Sequence, residues 1–348
     1  MMFQRKAVAL ISGGLDSMLA ARLIKDQGVH VEGITFFTGF CTGGLHHISG
    51  VYKGNEPKRN DAAWVCEQIG IEHHIVNIVE EYKDIVINPK HGYGAHLNPC
   101  LDCKIFMVNK AREWIREHGF DFIITGEVVG QRPKSQRRET MPVIAAESGA
   151  DDLLLRPLSA KLLPETLPER EGWVDRDKLL DIHGRSRKVQ MALAEQWGIK
   201  DYAQPAGGCC VLTDENYSHK LQDFWSHRNR KDYEFDDIML LNMGRHLRPR
   251  PHFKLMISRE EPETRFMEGY RKSYGHIKTV SHSGPITLID GDMRGDEDWE
   301  LAARITARFS KGRNAETVTV RIQPKGEEPR EIEVPPLPPE MIEKSWYI

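Results

Sequence analysis

At 348 residues the chain is long enough for two or three domains of ordinary size. Hydrophobic residues make up 40% and charged ones 28%, an ordinary soluble composition; the formal net charge of −3 excludes a generally basic protein, so any nucleic-acid-binding surface must be local. No run approaches the ~20 apolar residues that span a bilayer, and the opening "MMFQRKAVAL" leads straight into a strand, so a cytoplasmic protein without a membrane segment is expected.

In chain order, short β-rich runs alternate with helical patterns, which predicts an α/β fold with a parallel, Rossmann-like sheet and helices on both faces. Strands are expected at 7–11, 31–37, 72–76, 120–125 and 153–156, and helices at 17–27, 58–69, 102–117 and 136–147. Prolines in "RPLSAKLLPETLPER" predict a loop, followed by a helix over 186–197. A polar, partly basic helical region follows at 217–243, and β-like runs at 253–258, 286–289 and 317–322 predict a smaller α+β domain with an extended, proline-rich tail. The expected domains are a catalytic domain over 1–200, a cysteine loop and basic helical linker over 201–248, and a C-terminal domain over 249–348.

Ser12-Gly13-Gly14-Leu15-Asp16-Ser17 lies where the first strand turns into the first helix. Backbone N–H groups there point into open space at the positive end of a helix dipole, and glycine lets an anion approach them. Ser12 and Ser17 add hydroxyls, and Asp16 suits Mg²⁺ or the turn itself rather than a phosphate. After the fourth strand, Gly126 permits close approach of a nucleotide at the carboxyl edge of the sheet. The turn lacks the lysine of a Walker A loop and the three glycines of a dinucleotide fingerprint. "SGGLDS" instead resembles the SGGxDS loop of the PP-loop ATP pyrophosphatases. That resemblance implies cleavage of ATP between its α- and β-phosphates and activation of a substrate as an adenylate.

The cysteines carry the second signal. "NPCLDCKIFMVNKA" places Cys100 and Cys103 at the start of a helical pattern, where a helix dipole favours thiolate, and "PAGGCCVLTD" supplies Cys209 and Cys210 far along the chain. Cys100, Cys103 and Cys210 (or Cys209 in its place) would hold three irons of a [4Fe–4S] cluster, or one cysteine would carry a persulfide that another resolves. Structural zinc is the plain alternative and needs a fourth ligand such as Cys41, Cys66 or a histidine. The arrangement resembles the tRNA 2-thiouridylases and the cluster-dependent tRNA thiolases, with Cys103 and Cys210 in the two thiouridylase positions. Cys100 is additional to that pattern, and Lys104, taken with Asp16, Cys103 and Cys210 as catalytic, stands where an asparagine is usual. The extra cysteine shifts the expectation toward a three-cysteine cluster.

The resemblance covers roughly the first 215 residues and implies ATP-dependent thiolation of a uridine in tRNA, with sulfide, a sulfur-carrier protein or a cysteine desulfurase supplying sulfur. An adenylating enzyme acting on a small metabolite is the rival reading. Arg132, Lys134, Arg137 and Arg138 form a basic cluster suited to an RNA backbone, with Gln131 and Ser135 beside them and a second cluster at Arg185, Arg187 and Lys188. His46 and His47 read as loop residues, and Cys41 and Cys66 as packed small side chains. Trp225 and Tyr233 lie among basic residues in 217–250, and "FKLMISREEPETRFMEGY" faintly resembles an RNA-binding domain of ribosome-quality-control and fibronectin-binding-like proteins.

Overall fold

The computed structural model describes residues 4–41, 49–50, 59–202 and 210–348; His46, His47 and Gly207 to Cys209 lie outside the described residues. The chain divides into two compact units, one built from 1–44 and 59–213 and the other from 45–58 and 214–348.

The first unit holds strands β1 (Lys6–Leu10), β2 (His30–Phe37), β3 (His73–Asn77), β4 (Phe122–Thr125) and β5 (Leu154–Leu155), in the order β3-β2-β1-β4-β5. Every pairing is parallel, with Ala7 opposite both Val31 and Phe122. Side chains alternate across the sheet. Ala7 and Ala9 join one apolar cluster, beneath helices α1 (Leu15–Lys25), α2 (Asp61–Ile69) and α6 (Lys188–Gln196). Val8 joins another, beneath α4 (Cys100–His118) and α5 (Thr140–Ser148). Both faces are covered, so β1 reads as a continuous apolar run. Asn60 opens α2 by accepting from the N–H groups of Ala62 and Ala63, each at 3.1 Å, and Gly70 ends it in the left-handed region.

The expected α/β architecture is the observed one, with two differences. Helix α3 (Val79–Ile87) stands where no helix was expected, burying Val79, Tyr82 and Val86 at one-turn spacing. Helix α5 begins at Thr140 instead of 136, because Ser135 and Gln136 are buried in the preceding turn and the Thr140 hydroxyl donates to the carbonyls of Lys134 and Arg137.

The second unit is a six-stranded antiparallel sheet: β6 (Arg245–Arg250), β7 (Phe253–Ile257), β8 (Gly275–Thr279), β9 (Ile286–Gly291), β10 (Val318–Gln323) and β11 (Arg330–Val334). The order is β11-β10-β8-β9-β7-β6. Its helices are α7 (Glu215–Arg228), α8 (Phe235–Leu241), α9 (Glu261–Glu268) and α10 (Asp296–Arg308). The single helical region expected over 217–243 is two helices, because Asn229 at φ 49° takes the left-handed conformation and ends α7. No described helix is long and apolar enough to cross a membrane.

Candidate nucleotide and sulfur site

The turn after β1 is built as its sequence demands. Gly13 sits at φ 79°, and a Cβ there would lie 2.8 Å from that of Asp61 at the start of α2. Gly14 precedes α1 with no side-chain cap, so the first N–H groups of that helix keep no side-chain partner at its N-cap. The Ser17 hydroxyl donates to the Gly14 carbonyl at 2.8 Å and accepts from the Ser12 N–H at 3.4 Å. Gly126 closes the other wall: a Cβ there would lie 2.6 Å from the Asp16 carbonyl oxygen, so only glycine lets the β4 edge approach the turn. Ser12, Gly13, Gly14, Asp16, Ser17 and Gly126 therefore meet at one edge of the sheet.

Asp16 is held but not satisfied. Its Oδ2 accepts from Gln131 Nε2 at 2.6 Å, and Gln131 Oε1 accepts from the fully buried Gln190 Nε2 at 3.0 Å. Asp16 Oδ1 is buried with no hydrogen-bond partner. An orphaned carboxylate oxygen at a helix N-terminus suits a hard cation such as Mg²⁺, whose ligands are oxygens. Gln131, expected to reach phosphate or RNA, instead orients Asp16.

Glu127, next to Gly126, repeats the arrangement. It is 2% exposed; its Oε2 accepts from Arg156 Nε at 3.1 Å and Thr125 Oγ1 at 3.0 Å, while Oε1 has no hydrogen-bond partner and lies 4.0 Å from Lys104 Nζ. Burial alone would raise its pKa, but Lys104 and Arg156 outweigh that and hold the carboxyl below its ordinary value. Lys104 thus anchors a buried anion on the first turn of α4.

Cys100 and Cys103 take different hydrogen-bond partners. The hydroxyl of Tyr82, 1% exposed on α3, hydrogen-bonds Cys103; burial first, then the charges of Cys103, Cys210 and Cys41, push its pKa well up, so it stays a protonated donor. Cys41 and Cys210 face each other in an isolated antiparallel bridge, reinforced by the Val211 N–H donating to the Phe40 carbonyl at 2.9 Å. Cys41, expected to be mere packing, thus stands beside Cys210 and acts on the same phenol as Cys103. Cys66 is packing: it is 1% exposed, and burial pushes its thiol up to about 12.

Cys100 turns elsewhere, with its Sγ 3.6 Å from Ser135 Oγ. Beneath it Asp102, 6% exposed, accepts from the His91 N–H at 3.0 Å and pairs with His91 Nδ1 at 2.9 Å, pinning the loop before α4. None of the five described cysteines forms a disulfide. Arg132, Lys134, Arg137 and Arg138 are exposed, as an RNA-facing cluster requires. Tyr82, Glu127, Gln190 and Cys41 are the site residues that reading the sequence missed; for Tyr82 the spacing within 79–87 was the available signal.

Residues 5–165 match the family described as the tRNA methyl transferase HUP domain, and residues 244–347 match the NFACT protein RNA binding domain. A tRNA-specific 2-thiouridylase MnmA of Pelobacter propionicus is 32% identical over 293 residues, 82% of this chain and 71% of that protein. The tRNA-specific 2-thiouridylase MnmA 1 of Syntrophus aciditrophicus is 26% identical over 63% of this chain and 56% of its own length. The chain thus spans little more than half of one relative and about seven tenths of the other. Among solved structures, a 4-thiouridine synthetase–RNA complex with bound ATP is 24% identical over 41% of this chain and 34% of that one, with a TM-score of 0.31.

Proposed function

This chain belongs to the tRNA-specific 2-thiouridylase family, and from that premise we propose that it replaces a uridine carbonyl oxygen of tRNA with sulfur at the expense of ATP. The observation that carries the reading is the orphaned Oδ1 of Asp16 beside the Gly13–Gly14 turn and the Gly126 edge. There the backbone N–H groups and the Ser12 and Ser17 hydroxyls receive the phosphates of ATP. Asp16 would hold Mg²⁺, which supplies charge neutralisation to the departing pyrophosphate. The uridine oxygen attacks the α-phosphorus, pyrophosphate leaves, and the ring carbon now bears an adenylate as leaving group. Donors fixed before the charge develops make electrostatic stabilisation a large part of the acceleration.

Sulfur then reaches the ring from Cys103 and Cys210. A persulfide on one attacks the activated carbon and displaces AMP; the thiolate of the other attacks the carrier's sulfur, releasing the thiouridine and leaving a disulfide that a dithiol must reduce before the next cycle. Support comes from Tyr82, which the thiols of both residues influence. A [4Fe–4S] cluster is the second reading; as first expected, Cys100, Cys103 and Cys210 would hold it, and Cys41, opposite Cys210 in the backbone bridge, is a further thiol beside them. Held by three thiolates, such a cluster would supply iron chemistry for carrying sulfur.

For the tRNA, Arg132 and Arg138 supply phosphate contacts, and the region matching an RNA-binding domain adds a second surface. Incubation with unmodified tRNA and ATP, followed by nucleoside mass spectrometry and assay of AMP and pyrophosphate, tests this reading. One thiouridine, one AMP and one pyrophosphate should form together. Pyrophosphate with a small metabolite but not with tRNA would favour the rival.

A further inference from the structure

Cys100 opens into a cavity of about 130 Å³, lined also by His91, Leu101, Lys134, Arg137 and Thr140. That is room for several water molecules or for one anion of a few heavy atoms. No carboxylate of the described residues lines it. The Lys134 ammonium donates to the Tyr93 carbonyl at 2.9 Å and makes no ion pair among the described residues. Its stem lies where a Cβ on Gly94 would sit 3.5 Å from it, so the loop fixes its course. Among the described residues the Arg137 guanidinium pairs only with the exposed Glu139, at 3.9 Å. His91 is occupied by Asp102 behind it and by Glu147, 3.3 Å from Nε2, which Lys90 also pairs at 2.7 Å. Two lightly partnered cations and one thiol therefore share a small compartment.

Resting on the thiolation reading above, we propose that this cavity is the docking site of the sulfur donor, a small oxyanion carrying a transferable sulfane sulfur, with Cys100 as the first acceptor. Lys134 and Arg137 take the oxyanion end and present the sulfane sulfur to Cys100 Sγ. With thiosulfate, the Cys100 thiolate attacks the sulfane sulfur; a bond forms between the two sulfurs, the bond to the sulfonate sulfur breaks, and its electron pair leaves with sulfite. Charge is conserved, no external oxidant is needed, and Cys100 becomes a persulfide. Cys103, one helical turn along α4, then takes the outer sulfur by thiolate attack and regenerates the Cys100 thiolate.

The test uses the full chain, anaerobic and chelator-treated, without tRNA or ATP, so its failure is distinguishable from failure of the thiolation reading. Thiosulfate should add one sulfur per chain by intact-mass spectrometry and release one sulfite. In Cys103→Ser the added sulfur should stay on Cys100, and in Cys100→Ser it should be lost. Lys134→Gln and Arg137→Gln should each slow loading at least about fivefold through the lost charge attraction, Lys134→Arg should restore it, and sulfate should compete. Site-resolved alkylation gives an independent readout: the ratio of iodoacetate to iodoacetamide rates at Cys100 should fall in the two Gln variants. Loading unchanged by the Gln variants, or loading of Cys100→Ser at the wild-type rate, overturns the proposal.

Discussion

The two units treat buried charge in opposite ways. In the antiparallel unit the acids buried among the described residues all have side-chain partners, Asp237 with Arg228, Glu263 with Arg259 and Asp298 with His252; the partly buried Asp223 receives Arg248 at 2.7 Å through two nitrogens, and Lys254, 1% exposed, lies 3.2 Å from Asp290 and 3.8 Å from Asp223. In the parallel unit, Asp16 and Glu127 carry the only buried carboxylate oxygens among the described residues that lack a hydrogen bond. A closed network holds a fold together. An open oxygen costs stability and is retained where something else is to be bound.

Substitutions at Asp16 and Asp223 probe that contrast most sharply. Asp16→Ala should cut pyrophosphate release by about 10²-fold or more while shifting unfolding stability by less than ~0.5 kcal/mol, read by a pyrophosphate assay and urea titration. Asp223→Asn should do the reverse, costing ~3 kcal/mol because Arg248 loses its counter-charge while Lys254 keeps only Asp290. Equal stability losses in both variants would erase the distinction.

Within the parallel unit, Tyr82→Phe removes the donor to Cys103 but keeps the ring. Thiouridine formation should slow about tenfold, for the loss of roughly 1–1.5 kcal/mol of hydrogen bonding, with pyrophosphate release unchanged. A parallel fall in both rates would place Tyr82 in adenylation instead.

Acid should distinguish the units next. His246 is 1% exposed and held well below its ordinary pKa by burial first and then by Lys220 and Lys254. The unfolded chain takes up that proton first, so the antiparallel unit should weaken as pH falls below ~6.5, by up to about 1.4 kcal/mol per unit. Glu127 has a lowered pKa, so its contribution is present above ~4.5 and is lost only as pH drops further. Urea titrations at stepped pH should show the antiparallel unit failing first. Smallest of all, Arg132→Ala and Arg138→Ala should each weaken tRNA binding a few-fold and reduce the salt slope by ~0.7–0.9.

What was legible in the sequence is what local chemistry dictates. Gly13, Gly14 and Ser17 announced a tight glycine turn because a strand ended and a helix began around them. The run of short apolar strands announced a sheet covered on both faces. Tyr82 was hidden because an aromatic residue at helical spacing looks like any core position. Cys41 was hidden because its partner, Cys210, lies far along the chain, and cross-strand pairing leaves no local pattern. Helices α9 and α10 begin with runs of acids, and the β-rich reading of that region passed over their apolar faces.

The account stands most directly on the fate of one oxygen atom. Unmodified tRNA carrying ¹⁸O at the carbonyl that becomes thiolated, incubated with this chain and ATP, should yield AMP bearing that ¹⁸O in equal amount to the thiouridine formed. Thiouridine accompanied by unlabelled AMP would contradict attack of the uridine oxygen on the α-phosphorus, and with it the role assigned to the Asp16 turn.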